Sequence, residues 1–496
     1  MKEILAAITD GFSWFVIGYF VILNSWYLVL LSLAALDLRE YQRAKPYAGY
    51  DDLFASQLTP PVSIVVAAHN EQSGIVESVN ALLGLRYPEF EVIVVDDGSD
   101  DDTFGVLERT FQLAQMPTVV PDLVPVSGWV QSVHVARGGE ALTVVRKTSI
   151  GSKTDPNNVG INVSRYPLVC FVDADSLLDT EALLRVAKPF FDDPGRTVAA
   201  GGTIRAVNGS RIYRGQVVDA RMPRQWLARI QVVEYLRSFL FGRAGWSRLQ
   251  GLLVISGAFG IFKRSILIEI GGFRHGSVGE DADLVARMHR LLRERKADYR
   301  ISFVAEPVCW TEVPETGRQL GRQRRRWSRG LAEVLWSERR MMLNPRYGRI
   351  GMVVLPYFLV FELIGPVIEL TGLVVVAFGL VFGVVDIPFG LLFMAVAIGY
   401  GLFLSFAALM LEEISFYRFD RRSDLIAALG AAVLENVGYR QRHAWWRMLG
   451  LIDAVTRRNR TWGHLQRMGF QTDVAAAGPE LAVTPFHSPA PGGGSS

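Results

Sequence analysis

Three short runs, residues 62–68, 91–95 and 168–172, are apolar at nearly every position rather than at alternate ones. Alternation would mark a strand with one wet face, whereas a continuous apolar run of this length marks a strand covered on both sides. Helical spacing lies between them, from Asn70-Glu71 to Leu83 and from Thr103 onward. Strand–helix–strand order predicts an α/β fold, a mostly parallel sheet with right-handed crossovers and flanking helices. Two of the runs end on acids, at Asp96-Asp97-Gly98-Ser99 and at Asp173-Ala174-Asp175. Ligands of such sheets bind beyond the carboxyl ends of the strands, so one crevice is expected to hold both acidic motifs. Residues 123–145 change to loose alternation around Gly138-Gly139, which predicts a hairpin or an extended insertion.

The rest of the 496-residue chain is more apolar, with half of all residues hydrophobic and a mean hydropathy of +0.22. A helix needs ~20 apolar residues to cross a bilayer. Residues 11–36 qualify, and Lys2 against Glu3 and Asp10 fits an uncleaved anchor better than a signal peptide. Arg39, Arg43 and Lys45 follow it and place the next stretch, a domain over 50–346, in the cytoplasm. Residues 347–363 are expected to form an interfacial helix, and 364–411 two spans that turn at Asp386-Ile387-Pro388. Residues 412–474, with the basic run Arg418 to Arg422 and a helix over 425–434 too short to span, are then cytoplasmic or interfacial. The Pro/Gly/Ser/Ala-rich residues 475–496 form a disordered tail. Glu362 and Glu369, seven residues apart, face either a polar path or the interface. A formal charge of +3 gives no argument for nucleic acid, and Cys170 and Cys309 read as buried reduced thiols.

Asp173 and Asp175 place two carboxylates on one side of an extended segment. That suits a hard divalent cation, Mg2+ or Mn2+, carrying a diphosphate as a Lewis acid; otherwise they are two solvated aspartates in a turn. Asp96 or Asp97 can accept the ring N–H of uracil where Gly98 allows close approach, or can cap the helix at Thr103, a role open also to Asp100, Asp101 and Asp102. Gly279-Glu280-Asp281 opens a helical pattern ending near Arg293, where acids either stabilise the first turn or serve as a general base worth ~10²–10⁴-fold. In Gln323-Arg324-Arg325-Arg326-Trp327, an arginine can clamp phosphate oxygens and the indole can stack on a sugar ring. The alternative is a basic helix on anionic lipid, with Arg322 and Arg329 in that role.

In this order, and beside membrane-length apolar segments, the four motifs resemble the membrane-bound family 2 inverting glycosyltransferases. That family includes the hyaluronan, chitin, cellulose and poly-N-acetylglucosamine synthases. The resemblance is strongest over 60–336 and implies a GT-A type sheet plus transmembrane and interfacial helices. It implies Asp281 as the base with Glu280 beside it, and Asp173 and Asp175 as metal ligands. Glu71, Asp96, Asp97, Lys153, Asp173, Gln323 and Arg326 would bind the nucleotide sugar, with Asp97 ahead of Asp96. Trp327 and the loop at Ser256-Gly257 would meet the acceptor. Three departures stand out: Gly279 replaces a threonine, Ala67 or Ala68 a proline, and Asp155-Pro156-Asn157 small residues after Lys153. Lys153 is therefore either a phosphate contact or a solvated surface lysine, and His69 is structural. The implied activity is processive transfer of a hexose or N-acetylhexosamine from a UDP-sugar, with inversion, at a bacterial inner membrane by a multi-pass protein. The partners would be the nucleotide sugar, a polysaccharide or glycolipid acceptor, the bilayer and accessory export subunits. Single addition to a lipid acceptor and a catalytically silent membrane scaffold are the alternatives.

Overall fold

Strand β1 (Val62–Ala68) is buried along nearly its whole length, and β2 (Phe90–Asp97) and β6 (Leu168–Asp173) flank it in parallel. The other strands are β3 (Leu113–Met116), β4 (Val130–Ala136), β5 (Leu142–Lys147), β7 (Leu177–Leu178), β8 (Thr197–Ala206), β9 (Arg211–Tyr213), β10 (Gln216–Asp219), β11 (Phe259–Lys263) and β12 (Arg300–Thr311). They order as β3-β4-β5-β2-β1-β6-β11-β8-β12-β7, with β9 and β10 a separate ribbon. This computed structural model describes residues 2–44, 49–117, 119–213, 215–383, 387–416 and 421–456.

The α/β architecture with flanking helices is as expected. Its centre, β5-β2-β1-β6, is parallel, and antiparallel pairs on either side make the sheet mixed. Two local causes produce the mixture. The insertion around Gly138-Gly139 is a hairpin, β4 to β5, whose return strand lies parallel to β2. Strand β11 enters reversed between β6 and β8, with Phe259 opposite Val172. Because β11 is reversed, its N-terminal end shares an edge with the C-terminal ends of β1, β2, β5, β6, β8 and β12. That edge carries the acidic motifs.

Polar residues inside the sheet are stitched rather than solvated. Glu91, at the start of β2, accepts from Ser63 Oγ at 2.6 Å, Arg165 Nε at 2.8 Å and Arg165 N at 2.9 Å. The helix Thr154–Val163 forms despite Asp155-Pro156-Asn157, because its polar side chains have work across the fold. Asp155 accepts from Ser127 N and Gly128 N, at 2.7 and 2.9 Å. Asn158 donates to the Pro125 and Phe273 carbonyls and accepts from Phe273 N at 2.8 Å. Asn162 holds Leu123 N and Val124 N. The helix after β1 starts at Ile75, not at Asn70 as expected. Asn70 takes a left-handed conformation, φ 58°, and its Oδ1 accepts from Asp100 N at 2.8 Å. Loop-to-loop bonds thus outcompete the first helical turn. Asp101, not Asp96 or Asp97, reaches Thr103 N at the next helix start.

Among the described residues, one helix is long and apolar enough to cross a bilayer, Trp14–Arg43, within the continuous helix Lys2–Ala44. Ile350–Leu363 and Gly365–Val381 meet at a 41° bend and pass the same test together. Pro366 follows that bend, where its missing N–H costs no helical bond. Glu362 and Glu369 each meet an arginine of the helix Arg440–Thr456: Arg447 reaches Glu362 at 2.9 Å and Arg440 reaches Glu369 at 2.6 Å. The equal spacing of the two acids and the two arginines fixes this helix antiparallel to its partner. Cys170 and Cys309 are free and buried, as expected. The expectations for Lys45, the turn at Asp386, the basic residues 418–420 and the tail lie outside the described residues.

Replacing Asn158 by alanine leaves the buried Phe273 N–H without its acceptor, so thermal or denaturant unfolding should show a loss of about 1–3 kcal/mol. Unchanged stability would mean that this buried amide is not needed to hold the 123–128 loop to the sheet.

Candidate functional site

Asp173 ends β6, and the residue that meets it is Lys153, immediately before the helix Thr154–Val163. The Lys153 side chain is 17% exposed, so it belongs to the crevice and not to the open surface. Burial alone would depress its ammonium, but Asp173, Glu280 and Asp175 more than offset this and raise its pKa. Asp175 is buried beside them. A side chain at Gly257 would come within 3.8 Å of Lys153 Nζ, which sets the Ser256-Gly257 loop against the same lysine. Glu280 completes the group. Burial raises its carboxyl, with Lys153 opposing, Asp281 reinforcing and Arg326 opposing.

The position of Glu280 and Asp281 depends on a contact with no side chain in it. The helix Glu280–Glu294 starts at Gly279, whose backbone lies against Gly330 in the helix Gly317–Ser337. A Cβ on Gly279 would come 3.1 Å from the Gly330 backbone, and one on Gly330 would come 2.9 Å from Gly279 Cα. Glycine in place of threonine at 279 is thus matched by a second glycine across the contact. Asp281 also accepts from Ala282 N at 2.8 Å, a bond of the first helical turn. Asp283 is structural, bound by Arg287 at 2.8 Å and Arg274 at 3.1 Å.

On the other side of β1, Asp96 pairs in register with Ala68, while Asp173 pairs with Ala67. One strand separates the two acids, a span of roughly 10 Å. Asp97 receives Lys147 and, at 3.0 Å, Ser149 Oγ. Lys147 is fully buried and also meets Asp155 at 3.1 Å. Asp96 accepts from Ser99 N at 3.1 Å and faces Arg146 at 3.8 Å. His69 Nδ1 lies 2.8 Å from the Asp97 carbonyl, the structural role expected of it. Glu71 is half-buried at the mouth, its N–H donating to Thr103 Oγ1 at 2.9 Å.

The arginine motif lies on the helix Gly317–Ser337, and its residues part company. Arg324 is buried, pairs with Glu234 at 2.7 Å and stacks 4.3 Å above the Trp327 ring. Tyr439 donates to Glu234 at 3.0 Å and stacks on His443, whose pKa is pushed down to about 3, chiefly by burial. Trp327 itself is 44% exposed, so one face of the indole is open. Arg325 binds Asp453 of the helix Arg440–Thr456 with both nitrogens of its fork. Arg326 acts on Glu280. Gln323 is half-buried, with Oε1 enclosed. Arg329 is buried against Glu333 rather than turned to lipid, while Arg322 is exposed.

Lys153, Asp173, Asp175, Gly257, Glu280, Asp281 and Arg326 are thus brought together. Asp96, Asp97 and Glu71 line the neighbouring strand ends, and Trp327 lies one helical step from Arg326. Sequence reasoning missed Lys147, Glu234 and Arg243. Lys147 carried one signal, a lysine ending the apolar run Val144-Val145. Arg243 lies 3.8 Å above the Phe239 ring and is acted on by Asp281.

Residues 60–330, more than half of the chain, match the family model described as glycosyltransferase like family 2. A poly-beta-1,6-N-acetyl-D-glucosamine synthase of Staphylococcus epidermidis is 27% identical over 274 residues, 55% of this chain and 55% of that protein. The synthase of the same name from Staphylococcus aureus strain COL is 26% identical over 299 residues, 60% of each chain. The chain thus matches little more than half the length of these curated relatives. Among solved structures, the mannosyltransferase PcManGT from Pyrobaculum calidifontis, in complex with GDP-Man and Mn2+, aligns with 87% of this chain and 100% of its own at 16% identity and a TM-score of 0.46. With its model matched across the strand ends, both acidic motifs and the arginine helix, the chain belongs to glycosyltransferase family 2.

Proposed function

We propose that this family 2 glycosyltransferase is a metal-dependent, inverting polymerase that adds N-acetylhexosamine from a UDP-sugar to a growing polysaccharide. The observation that carries the reading is the convergence of Lys153, Asp173 and Asp175 on Glu280, Asp281 and Arg326. The relatives' printed names supply the substrate class.

Asp97 and Asp96 face the uracil side, Glu71 the ribose, and Lys153, Gln323 and Arg326 the diphosphate. Among the described residues no three His, Cys, Asp or Glu side chains form a metal cage. Asp173 and Asp175 offer oxygen donors beside a phosphate-binding lysine, which fits a Mg2+ or Mn2+ ion that keeps waters and takes further ligands from the substrate. Such an ion supplies Lewis-acid neutralisation of the diphosphate's charge. The acceptor hydroxyl attacks the anomeric carbon from the face opposite the diphosphate. Its proton passes to Asp281, the C–O bond to UDP breaks, and Lys153 and Arg326 receive the new negative charge. The indole of Trp327, with Arg324 fixing its ring, holds the acceptor beside Ser256-Gly257.

Residues 50–346 form the catalytic domain on the cytoplasmic face of a bacterial inner membrane, anchored by 11–36 and by two spans over 364–411. The interfacial helix 347–363 and the C-terminal helices join the two parts.

A panel of nucleotide sugars offered to the purified protein should show UDP-N-acetylhexosamine consumed and polymer formed, with chelation of divalent cations stopping both. Turnover of none of the panel would overturn the reading. Asp281→Asn should lower transfer by ~10²-fold or more while UDP binding stays nearly intact; loss of UDP binding instead would move Asp281 out of the base role. Trp327→Ala should shorten the product at equal donor consumption, and unchanged product length would reduce Trp327 to packing.

Glu280 adds a pH signature. A carboxyl whose folded pKa is raised destabilises the fold above that pKa, and the cost vanishes below the ordinary carboxylate range. Glu280→Gln should therefore raise the melting temperature at neutral pH, with the gain fading as pH falls toward about 4. A pH-independent change in melting temperature would show that desolvation of Glu280 is not a cost to this site.

A further inference from the structure

The helix Trp226–Leu236 continues through a π-helical turn at Arg237–Arg243 into Ala244–Arg248. Wide turns of this kind re-aim side chains and are frequent at functional sites. One face of this helix is fully committed. Glu234 takes Arg324, while Arg237 pairs with Glu435 and donates to Ser405 Oγ at 2.6 Å. The neighbouring face carries Tyr235, Phe239 and Arg243 at four-residue spacing. The Tyr235 and Phe239 ring centroids are 5.6 Å apart, and the Arg243 guanidinium lies 3.8 Å above the Phe239 ring.

This ladder ends in an unmet donor. Nη1 of Arg243 is enclosed and has no hydrogen-bond acceptor among the described residues. Burial draws the Arg243 pKa down to about 10, against the pull of Asp281 and then Tyr235, so the group is cationic at neutral pH. At neutral pH the charge that acts on Arg243 is that of Asp281, since burial raises the Tyr235 phenol and keeps it neutral. Lys153, Asp173 and Arg326 cluster instead around Glu280, on the diphosphate side. An enclosed guanidinium N–H, held over an aromatic ring and within electrostatic reach of a carboxylate, suits a neutral or partly charged oxygen. Sugar hydroxyls and amide carbonyls supply such oxygens, and stacked aromatic rings suit the sugar's apolar face.

We propose that Arg243 is an acceptor-binding residue, donating from Nη1 to an oxygen of the terminal acceptor sugar beside the hydroxyl that gives its proton to Asp281. Phe239 holds the guanidinium plane, and Tyr235 continues the wall toward Arg324 and Trp327. The inference rests on Asp281 as the base and extends that reading to a contact from a different helix.

The test uses the full-length protein in detergent, with UDP-N-acetylglucosamine as donor and a short N-acetylglucosamine oligosaccharide as acceptor. Three quantities are read for the parent, Arg243→Gln and Arg243→Lys: acceptor KM, UDP affinity and donor hydrolysis to water. Arg243→Gln should raise acceptor KM by about tenfold or more, with UDP affinity and hydrolysis within about threefold of the parent. Arg243→Lys, which keeps a charged donor, should recover part of the loss. An unchanged acceptor KM in both variants, or a parallel fall in UDP affinity, overturns the inference and makes Arg243 a packing residue. If Arg243→Gln does not fold, the acceptor KM of Arg243→Lys decides, and a value equal to the parent's counts against the proposal. A parent protein that turns over no nucleotide sugar sinks the polymerase reading itself and this inference with it.

Discussion

Charge compensation at the strand ends is the constraint from which the rest of the site follows. Asp97, Asp155, Asp173, Asp175 and Glu280 crowd one edge of the sheet, largely out of water, where like charges repel. The chain answers with two lysines six residues apart. Lys147 ends β5 and meets Asp97 and Asp155, while Lys153 starts the next helix and meets Asp173. The hairpin that delivers β5 parallel to β2 therefore does more than widen the sheet. It brings the cation that meets one pair of acids, leaving Lys153 for Asp173.

The second organising element is the helix Gly317–Ser337, whose faces divide the labour of its arginines. Arg324 turns inward to Glu234 and Trp327, Arg325 reaches Asp453, and Arg326 addresses Glu280. Gly330 lets the start of the Glu280–Glu294 helix approach backbone to backbone. On the far side, Gly321 accommodates Trp446, and Gly450 lies against the Arg325 carbonyl. The same C-terminal helix holds Glu362 and Glu369 through Arg447 and Arg440. The apolar helix Gly365–Val381 is thereby tied, through the helix Arg440–Thr456, to the helix that carries the arginine motif.

Much of this was legible in residue order. Continuous apolar runs located β1, β2 and β6, because burial on both faces leaves no other pattern, and the acids that end β2 and β6 marked the sheet edge. The hairpin, the structural role of His69 and the break between the helices ending at 363 and beginning at 365 follow from equally local rules. The start of the helix after β1 did not, since Asn70 is captured by the 100–101 backbone, a partner 30 residues away. Lys153 stood undecided between phosphate contact and surface, since only the fold places it among Asp173, Glu280 and Asp175.

The sequence by itself determined the fold class, the sheet edge that carries the acidic motifs and the residue types gathered there, since these depend on periodicity and on what ends each strand. Tertiary structure alone decided which charge meets which. Pairing over long separations, as between Arg324 and Glu234 or Gly279 and Gly330, depends on angles and distances between elements that no local pattern encodes. The same holds for Arg243, unremarkable in its run of residues, which becomes an enclosed cation within electrostatic reach of Asp281 only in the folded chain.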